Sequence, residues 1–331
     1  MKKVLILCGG PSSEHEVSIS TAQSILNYID YKRYLVSLCI VDKKKRFSFT
    51  KILEPLSINS IKNKPISLDS GIKKLKQYNL VLLATHGQFG EDGVIQTYLE
   101  ENNVKFTGSD SYSSRLCMDK YRSCTLVNKY LKLPEVKTKL IKLKDLESIL
   151  RNSKLPLFVK PNRDGSSVCA YPLKDNNDVK NSLKDFDKYK DNGGGILVQE
   201  LIEDYVEVSC GCLEKKNGTF ISLPPIEIIP QKATFFDYKS KYDIGGSIER
   251  IPAVGIPKKQ RDQVSKLAIE IHKLLGCRLY SRSDFLIKGS DIYFLETNTL
   301  PGMTATSLIP QEAKAIGMNF TKLITFFIEN A

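Results

Sequence analysis

The sequence predicts an α/β protein, with α+β character in parts, from three observations. In the first third, short apolar segments alternate with helical ones, the pattern of a parallel sheet covered by helices. Near the end, Lys288-Gly289-Ser290-Asp291 separates two apolar segments and is typical of a hairpin turn. The length of 331 residues exceeds one ordinary domain. We therefore expect three compact modules.

The first predicted module spans residues 1–116. Its strand and helix signals are, in order, "KKVLILCG", "EVSISTAQSILNYI", "YLVSLCIV", "NLVLLATHG", "GVIQTYLEEN" and "VKFTGS". Alternation of strand and helix favours a parallel sheet, whose ligand crevice lies at the carboxyl ends of its strands.

The second predicted module spans residues 117–206 and the third spans residues 207–331. The second runs from the helix "MDKYRSCTLVNKYL" to the strand "GGGILVQELI", and the third holds "VEVSCGCL", "FISLPPIEII", a long helix and the hairpin. Residues 229–254 have little apolar periodicity. A loop of this length is typical of a lid over a site, and a merely mobile loop is the alternative.

Composition narrows the functional class. The net charge of +12 comes from lysines spread along the chain beside acids, which favours a solvated surface over a nucleic-acid interface. The 8 cysteines form no C-x-x-C pair, so neither zinc nor a disulfide framework is indicated. No apolar segment is long enough to insert in a membrane, and the start does not resemble a signal peptide, so we expect a cytoplasmic protein.

Two candidate ligand-binding residues, one acidic and one a histidine, follow predicted strands of the first module. Glu14, in "LILCGGPSSEHEVSIS", lies at a predicted helix start in the crevice, where it meets either a substrate cation or only the helix dipole. His86, in "ATHGQFGEDG", lies at the same sheet edge and is either a structural residue or a substrate contact.

Lys160 ends a strand in "LFVKPNRDGSSVCAY", where small residues follow it. Backbone N–H groups and hydroxyls of such a loop can bind phosphate, although an ordinary hairpin is the alternative. The Walker pattern is absent, which excludes a P-loop protein.

The hairpin predicts a metal site. Folding it at Gly289-Ser290 brings Asp284 opposite Glu296 within about one residue of register. Asp284, Glu296 and Asn298 would then share one face, and three oxygen donors suit Mg²⁺. A polar strand end exposed to water is the alternative.

Together these segments resemble the D-alanine:D-alanine ligases of the ATP-grasp superfamily over nearly the whole chain. The matching motifs are "GGPSSEHEVS", "HGQFGEDGVIQ", "FTGSD" leading to "MDK", "KPNRDGSS", "FFDYKSKY", "SRSDF" and "ETNTLPGMTATSL". The resemblance implies a three-module ATP-grasp architecture in which the second and third modules clamp ATP. It also implies a homodimer, and a place in peptidoglycan synthesis.

The implied reaction has two steps. ATP phosphorylates the carboxylate of one D-alanine, and the amine of a second D-alanine then attacks the acyl phosphate. By motif, the resemblance implies that Glu14, supported by Ser166, holds the first substrate's ammonium, and that Tyr242 links the lid to that pair. Nucleotide contacts are implied for Lys120, Lys160 and Lys241 with the ATP phosphates, Glu200 with adenine and Glu207 with ribose. The implied ligands of two Mg²⁺ ions, with Mn²⁺ as a substitute, are Asp284, Glu296 and Asn298. Arg282 and the Gly302 N–H would face the oxyanion, and Ser307 with Leu308 would bind the second carboxylate.

The chain departs from the family pattern at three usual glycine positions, which hold Thr97, Cys169 and Leu279. Added side chains there imply a locally altered pocket or loop. Ligation of D-serine, D-lactate or another amino or hydroxy acid is therefore the alternative reaction. A nucleotide-binding regulator or basic nucleic-acid binder without turnover is the alternative from another class.

Overall fold

The computed structural model describes residues 1–61, 63–165, 168–189, 191, 193–231 and 246–331. Within these residues, the strands form three separate sheets. The three-sheet arrangement agrees with the predicted α/β class. Among the described residues, no helix has both the length and the apolar composition needed to cross a bilayer.

The first sheet is parallel at its centre, as predicted. Its strands are β1 (Lys2–Gly9), β2 (Tyr34–Val41), β3 (Phe47–Ile52) and β4 (Leu80–Leu83), in the order β3-β2-β1-β4. β1 runs parallel to β2 and β4, whereas β3, which the sequence analysis missed, is an antiparallel edge. The helices that follow its strands are α1 (His15–Tyr28), α2 (Leu68–Leu75) and α3 (Val94–Glu101).

The second sheet is antiparallel throughout. Its strands are β5 (Thr138–Ile141), β6 (Leu157–Pro161), β7 (Tyr171–Leu173) and β8 (Ile196–Glu200), in the order β5-β8-β6-β7. Helices α4 (Ser111–Met118) and α5 (Lys120–Leu131) precede this sheet in the chain and pack against the third sheet, whereas α6 (Leu146–Arg151) and α7 (Asn176–Phe186) pack on the second sheet.

The third sheet contains the predicted hairpin. Its strands are β9 (Val206–Glu214), β10 (Phe220–Ser222), β11 (Ile226–Pro230), β12 (Ser247–Arg250), β13 (Tyr280–Lys288) and β14 (Asp291–Asn298). The order is β12-β11-β9-β13-β14, with β10 beside β9, so β14 is an edge strand. The helices that belong to this region are α8 (Lys258–Leu274), α9 (Leu308–Ala315) and α10 (Phe320–Asn330).

The last helix, α10, packs on the first sheet. Ile324 and Ile328 are buried in the same apolar cluster as Val4 and Ile6 of β1. The Lys2 ammonium donates to the backbone carbonyl of Ile328. Residues from the end of the chain thus complete the core of the sheet formed by its beginning.

A β-bulge in β14 sets the direction of the predicted metal ligands. Phe285 pairs with Phe294, but Asp284 pairs with Glu296, so Leu295 is an extra residue on β14. A regular register would place Glu296 opposite Ser283, on the buried face. The bulge moves Glu296 to the face of Asp284 instead, because a shift of one residue reverses the side on which every following side chain lies.

Two of the three glycine replacements occupy left-handed backbone. The φ angle is +51° at Cys169 and +68° at Leu279. A residue with a side chain costs about 1–2 kcal/mol in this left-handed conformation. Glycine avoids that cost, but its greater conformational freedom in the unfolded chain lowers the free energy of unfolding by about 0.5–1 kcal/mol. Cys169 is half-buried, whereas Leu279 is only 2% exposed and belongs to the main core.

Cys169→Gly is therefore expected to raise the free energy of unfolding by about 0.5 kcal/mol, because relief of strain exceeds the lost contacts. Leu279→Gly is expected to lower it by about 2 kcal/mol or more, because lost core packing exceeds the relief of strain. Urea unfolding of both variants tests the opposite signs. A change of the same sign in both would contradict the argument.

Candidate active site

A cleft of about 290 Å³ lies between the second and third sheets. It gathers the described side chains that the sequence analysis assigned to ATP or metal, except Asn298. These are Lys120, Lys160, Glu200, Glu207, Asp284 and Glu296. Their convergence from six elements of structure is the central feature of the site.

One wall of the cleft is apolar and was missed by the sequence analysis. Phe158 lies two residues before Lys160 on β6, and Leu286 lies two residues after Asp284 on β13. The strand alternation that places the charged residue on the cleft face also places the apolar one there. Apolar walls with a few convergent polar groups are typical of sites for small molecules with a flat ring.

Asp284 is the centre of a hydrogen-bonded cluster on the cleft face. Its carboxylate accepts hydrogen bonds from Nε and Nη2 of Arg282 at 2.8 and 2.7 Å, from Ser209 Oγ at 2.6 Å and from Asn298 Nδ2 at 3.1 Å. Arg282 is opposite Asn298 across the hairpin, and Asp284 is opposite Glu296. The predicted pairing of Asp284 with Glu296 is confirmed.

Arg282 is the cation of this cluster. Burial acts to lower its pKa, but the charges of Asp284, Glu296 and Glu312 outweigh burial and raise the pKa above its ordinary value. The guanidinium therefore stays charged although only 14% of its side chain is exposed.

Glu312, on α9, was not singled out in the sequence. It is fully buried, and its Oε2 accepts the Gly211 N–H at 3.1 Å. Burial raises its pKa well above the ordinary value, and the charge of Arg282 lowers it. Gly211 lies opposite Arg282 across the sheet, so Glu312 ties α9 to the strand beside the site. No signal in the sequence separates it from a surface acid of a helix.

Lys120, at the start of α5, joins two sides of the cleft. Its ammonium lies 3.2 Å from Glu296 Oε2 and donates to the backbone carbonyl of Asp164 at 2.6 Å. Asp164 belongs to the loop after β6. The lysine thus connects that loop to the carboxylate on β14.

Glu14 lies in the crevice of the first sheet and faces this loop. It is 7% exposed, and its backbone N–H donates to Ser12 Oγ. A Cβ at Gly87 would lie 2.5 Å from Glu14 Oε2, and a Cβ at Gly165 would lie 3.0 Å from the same oxygen. Glycines on two loops therefore leave room for the carboxylate, and any side chain at Gly87 would displace it.

Glu91 is a second carboxyl group beside Glu14. Burial, followed by the charge of Glu14, raises the pKa of Glu91 to about 8, and its Oε2 accepts the Gly87 N–H at 2.9 Å. Near neutral pH, Glu91 therefore mostly carries a proton. The sequence analysis gave Glu91 no role of its own.

His86 connects three segments. Its Nε2 lies 2.8 Å from Thr21 Oγ1 of α1, and it forms a hydrogen bond with the backbone of Leu300, after β14. Burial lowers the pKa of His86 to about 4, so the ring is neutral at physiological pH. These contacts describe a structural role, and its contact with substrate stays a prediction.

The lowered pKa of His86 predicts loss of stability in acid. The native ring binds a proton less readily than the unfolded one, so stability falls as pH falls from 6.5 to about 4. Over that window the contribution of His86 reaches about 3 kcal/mol. His86→Asn should flatten the pH dependence of unfolding by urea. If the slope of unfolding free energy against pH is the same in His86→Asn as in the natural protein, the assignment to His86 is wrong. His272, whose pKa burial also lowers, is present in both proteins and so does not account for a difference between them.

The segment after β14 forms its own tight turn. Ser307 Oγ accepts the Thr304 N–H at 3.0 Å, and a Cβ at Gly302 would lie 2.8 Å from that oxygen. Leu308, the first residue of α9, is buried against Ile226 and Ile228. A side chain at Gly302 would therefore force the Ser307 hydroxyl to shift within the turn.

The described residues divide into three groups. The ATP and metal residues other than Asn298 line the cleft, and Asn298 and Arg282 are hydrogen-bonded to Asp284 beside it. Glu14 and His86 lie at the edge of the first sheet, and Gly302, Ser307 and Leu308 follow β14. Ser166, Lys241 and Tyr242, and much of the lid segment, lie outside the described residues. In the described part of the chain, no three His, Cys, Asp or Glu side chains form a metal cluster, and the predicted set has only two carboxylates with an amide.

Comparison with known proteins gives matches over the whole chain. The family model "D-ala D-ala ligase N-terminus" matches residues 3–109 and "D-ala D-ala ligase C-terminus" matches residues 125–329. D-alanine–D-alanine ligase B of Clostridium perfringens is 37% identical over 335 residues, covering 99% of this chain and 98% of the relative. A D-alanine–D-alanine ligase of Leptospira interrogans is 34% identical over 352 residues, with the same coverage.

Solved structures agree. The VanG D-Ala:D-Ser ligase from Enterococcus faecalis superposes with a TM-score of 0.81 at 28% identity, covering 99% of this chain and 98% of the other. The D-alanine–D-alanine ligase from Bacillus anthracis complexed with ATP gives a TM-score of 0.74 at 26% identity, covering 100% and 97%. The predicted ATP-grasp architecture is confirmed by these neighbours. The chain therefore belongs to the D-alanine:D-alanine ligase family of ATP-dependent, ADP-forming ligases.

Proposed function

We propose that this chain joins two D-alanines into D-alanyl-D-alanine for peptidoglycan precursors, with ATP converted to ADP and phosphate. The observation that carries the proposal is the cleft, in which two lysines face carboxylates from two sheets in a chain that matches the family throughout. The same proposal includes domain boundaries at residues 116 and 206, a cytoplasmic location and a homodimer. It does not include nucleic acid as a partner.

ATP would lie along the cleft. The apolar wall with Phe158 and Leu286 would hold the adenine, and Glu200 and Glu207 line the same end. Glu200 already accepts the backbone N–H of Lys137 at 3.2 Å, which fixes its carboxylate at the rim. Lys120 and Lys160, with Lys241 of the lid, would bind the phosphates as charged donors.

Asp284, Glu296 and Asn298 would hold two Mg²⁺ ions, or Mn²⁺ in their place. The donor chemistry fits, because both carboxylates and the amide lie on one face of the hairpin and ATP phosphates supply further oxygens. Bound metal would neutralise phosphate charge as the acyl phosphate forms. Lys120 and Arg282 balance these carboxylates within the protein itself.

The first D-alanine would lie between Glu14 and the cleft. Glu14 would hold its ammonium with support from Ser166, and Tyr242 would link the lid to that pair. This position would direct the substrate carboxylate towards the phosphates. Burial and the charge of Glu14 raise the pKa of Glu91 beside it, which favours the protonated form of that second carboxyl group. His86 would support the pocket from the side of the sheet.

In the second step, the free amine of the second D-alanine would attack the acyl carbon. The C–N bond forms, the C–O bond to phosphate breaks, and the amine proton leaves with solvent or phosphate. Arg282 and the Gly302 N–H would donate to the oxyanion, where preorganised donors contribute several kcal/mol, on the order of 3. Ser307 and the Leu308 backbone would bind the second carboxylate at the start of α9.

D-serine as the second substrate is the other candidate, because the VanG D-Ala:D-Ser ligase is structurally similar. Release of phosphate from ATP and magnesium with D-alanine, L-alanine, D-serine or D-lactate, with products identified by mass spectrometry, separates the two. We expect release with D-alanine alone and a D-alanyl-D-alanine mass. A mixed dipeptide as the main product would move the function to the alternative, and no turnover with any substrate would refute both.

A further inference from the structure

The bulge in β14 lies against a helix. β14 is the edge strand of the third sheet, and α5 packs along it. The Cys124 thiol donates to the backbone carbonyl of Leu295, the extra residue of the bulge, at 3.2 Å. It also lies 3.9 Å from the carbonyl of Phe294. A bulge disrupts the ladder locally, so a donor from outside the sheet is valuable there.

The same face of α5 contacts the next residue of the strand. Lys120 lies four residues before Cys124, one helical turn, and its ammonium is 3.2 Å from Glu296 Oε2. One helix face therefore binds both the carbonyl of the extra residue and the carboxylate that follows it. Lys120 neutralises Glu296, whereas Cys124 contacts only backbone.

We infer that Cys124 is a positioning residue, which fixes the bulge at Leu295 and thereby directs the Glu296 carboxylate to the metal and phosphates. This inference rests on the proposed function, because it gives Glu296 the role of a metal ligand. It assigns Cys124 no contact with substrate. Its effect should therefore fall on metal and nucleotide binding and not on the D-alanine sites.

The size and chemistry of the thiol suit this position. Cys124 is half-buried, and its side chain fills the space between α5 and β14 while donating one weak hydrogen bond. Serine retains a donor with a shorter reach. Valine retains the volume without a donor, and alanine removes both.

Direct binding of Mn²⁺ by electron paramagnetic resonance, in the presence of ADP, tests the inference. For Cys124→Ala and Cys124→Val we expect the Kd of Mn²⁺ to rise about 3- to 10-fold, the effect of one lost hydrogen bond. The KM of ATP should rise by a similar factor, with the KM of D-alanine unchanged. Cys124→Ser should recover most of the affinity. Thr125→Ala, an exposed neighbour on α5, is the matched control and should bind as the natural protein does.

Unchanged Mn²⁺ affinity in Cys124→Val, with a normal melting temperature, would overturn the inference while leaving the proposed function intact. Equal loss in the serine and valine variants would also overturn it, because the donor would then not matter. If the natural protein itself binds no Mn²⁺ with ADP, the proposed metal site fails and the inference fails with it. If Cys124→Ala does not fold, the comparison of serine with valine decides.

Discussion

Glu296→Gln is expected to reduce turnover by at least about 1000-fold, because it removes one of two carboxylate charges from the proposed metal set. The glutamine has nearly the same shape, and Lys120 retains its hydrogen bond to the carbonyl of Asp164. The fold should therefore persist, with a change in melting temperature of a few degrees at most. Steady-state phosphate release and thermal unfolding measure the two effects.

Glu147→Gln is the matched control for Glu296→Gln. Glu147 is also ion-paired, with Arg151 at 2.7 Å, but it is exposed on α6 and distant from the cleft residues. Its turnover should equal that of the natural protein. Substantial activity of Glu296→Gln at saturating Mg²⁺ would refute the metal assignment of that residue.

Arg282→Met is expected to lower kcat by about 100- to 1000-fold, the usual effect of removing one oxyanion donor. It also leaves the buried Asp284 without its two guanidinium bonds, so stability should fall by about 3 kcal/mol. Arg282→Lys restores the charge but not the paired geometry, and we expect intermediate values of both quantities. Phosphate release and urea unfolding are measured on the same preparations.

The two losses separate catalysis from folding. Arg282→Met assayed well below its unfolding midpoint should still lack turnover, since the missing donor acts on the reaction and not only on the fold. Recovery of the natural kcat in a folded sample would mean that Arg282 serves only to hold Asp284 and Glu312 in place.

The sequence predicted the hairpin and its shared face because these depend on local chemistry. A glycine turn and alternating strands bring Asp284 near Glu296 to within one residue. The exact register, which the sequence leaves open by one residue, decides on which face of the hairpin Glu296 lies. That register depends on the bulge at Leu295. The bulge depends in turn on packing between β14 and α5, which no local pattern records.

Other features were missed for the same reason. Glu312 resembles a surface acid in sequence, and only the assembly of α9 over Gly211 buries it. The edge strand β3 lies in a polar segment, "RFSFTKIL", with weak alternation. The glycine positions at Cys169 and Leu279 were recognised by resemblance, but their left-handed backbone depends on the folded loops.

The packing of α10 on β1 has a consequence for how this protein is made. Lys2 and Ile328 are 326 residues apart in the chain, and Ile324 and Ile328 complete an apolar cluster around Val4 and Ile6 that α1 covers only in part. A ribosome adds about 5–20 residues per second, so this part of the first sheet stays uncovered for tens of seconds after β1 is made. Loss of the last helix would therefore leave apolar side chains of the sheet that is synthesised first exposed to water.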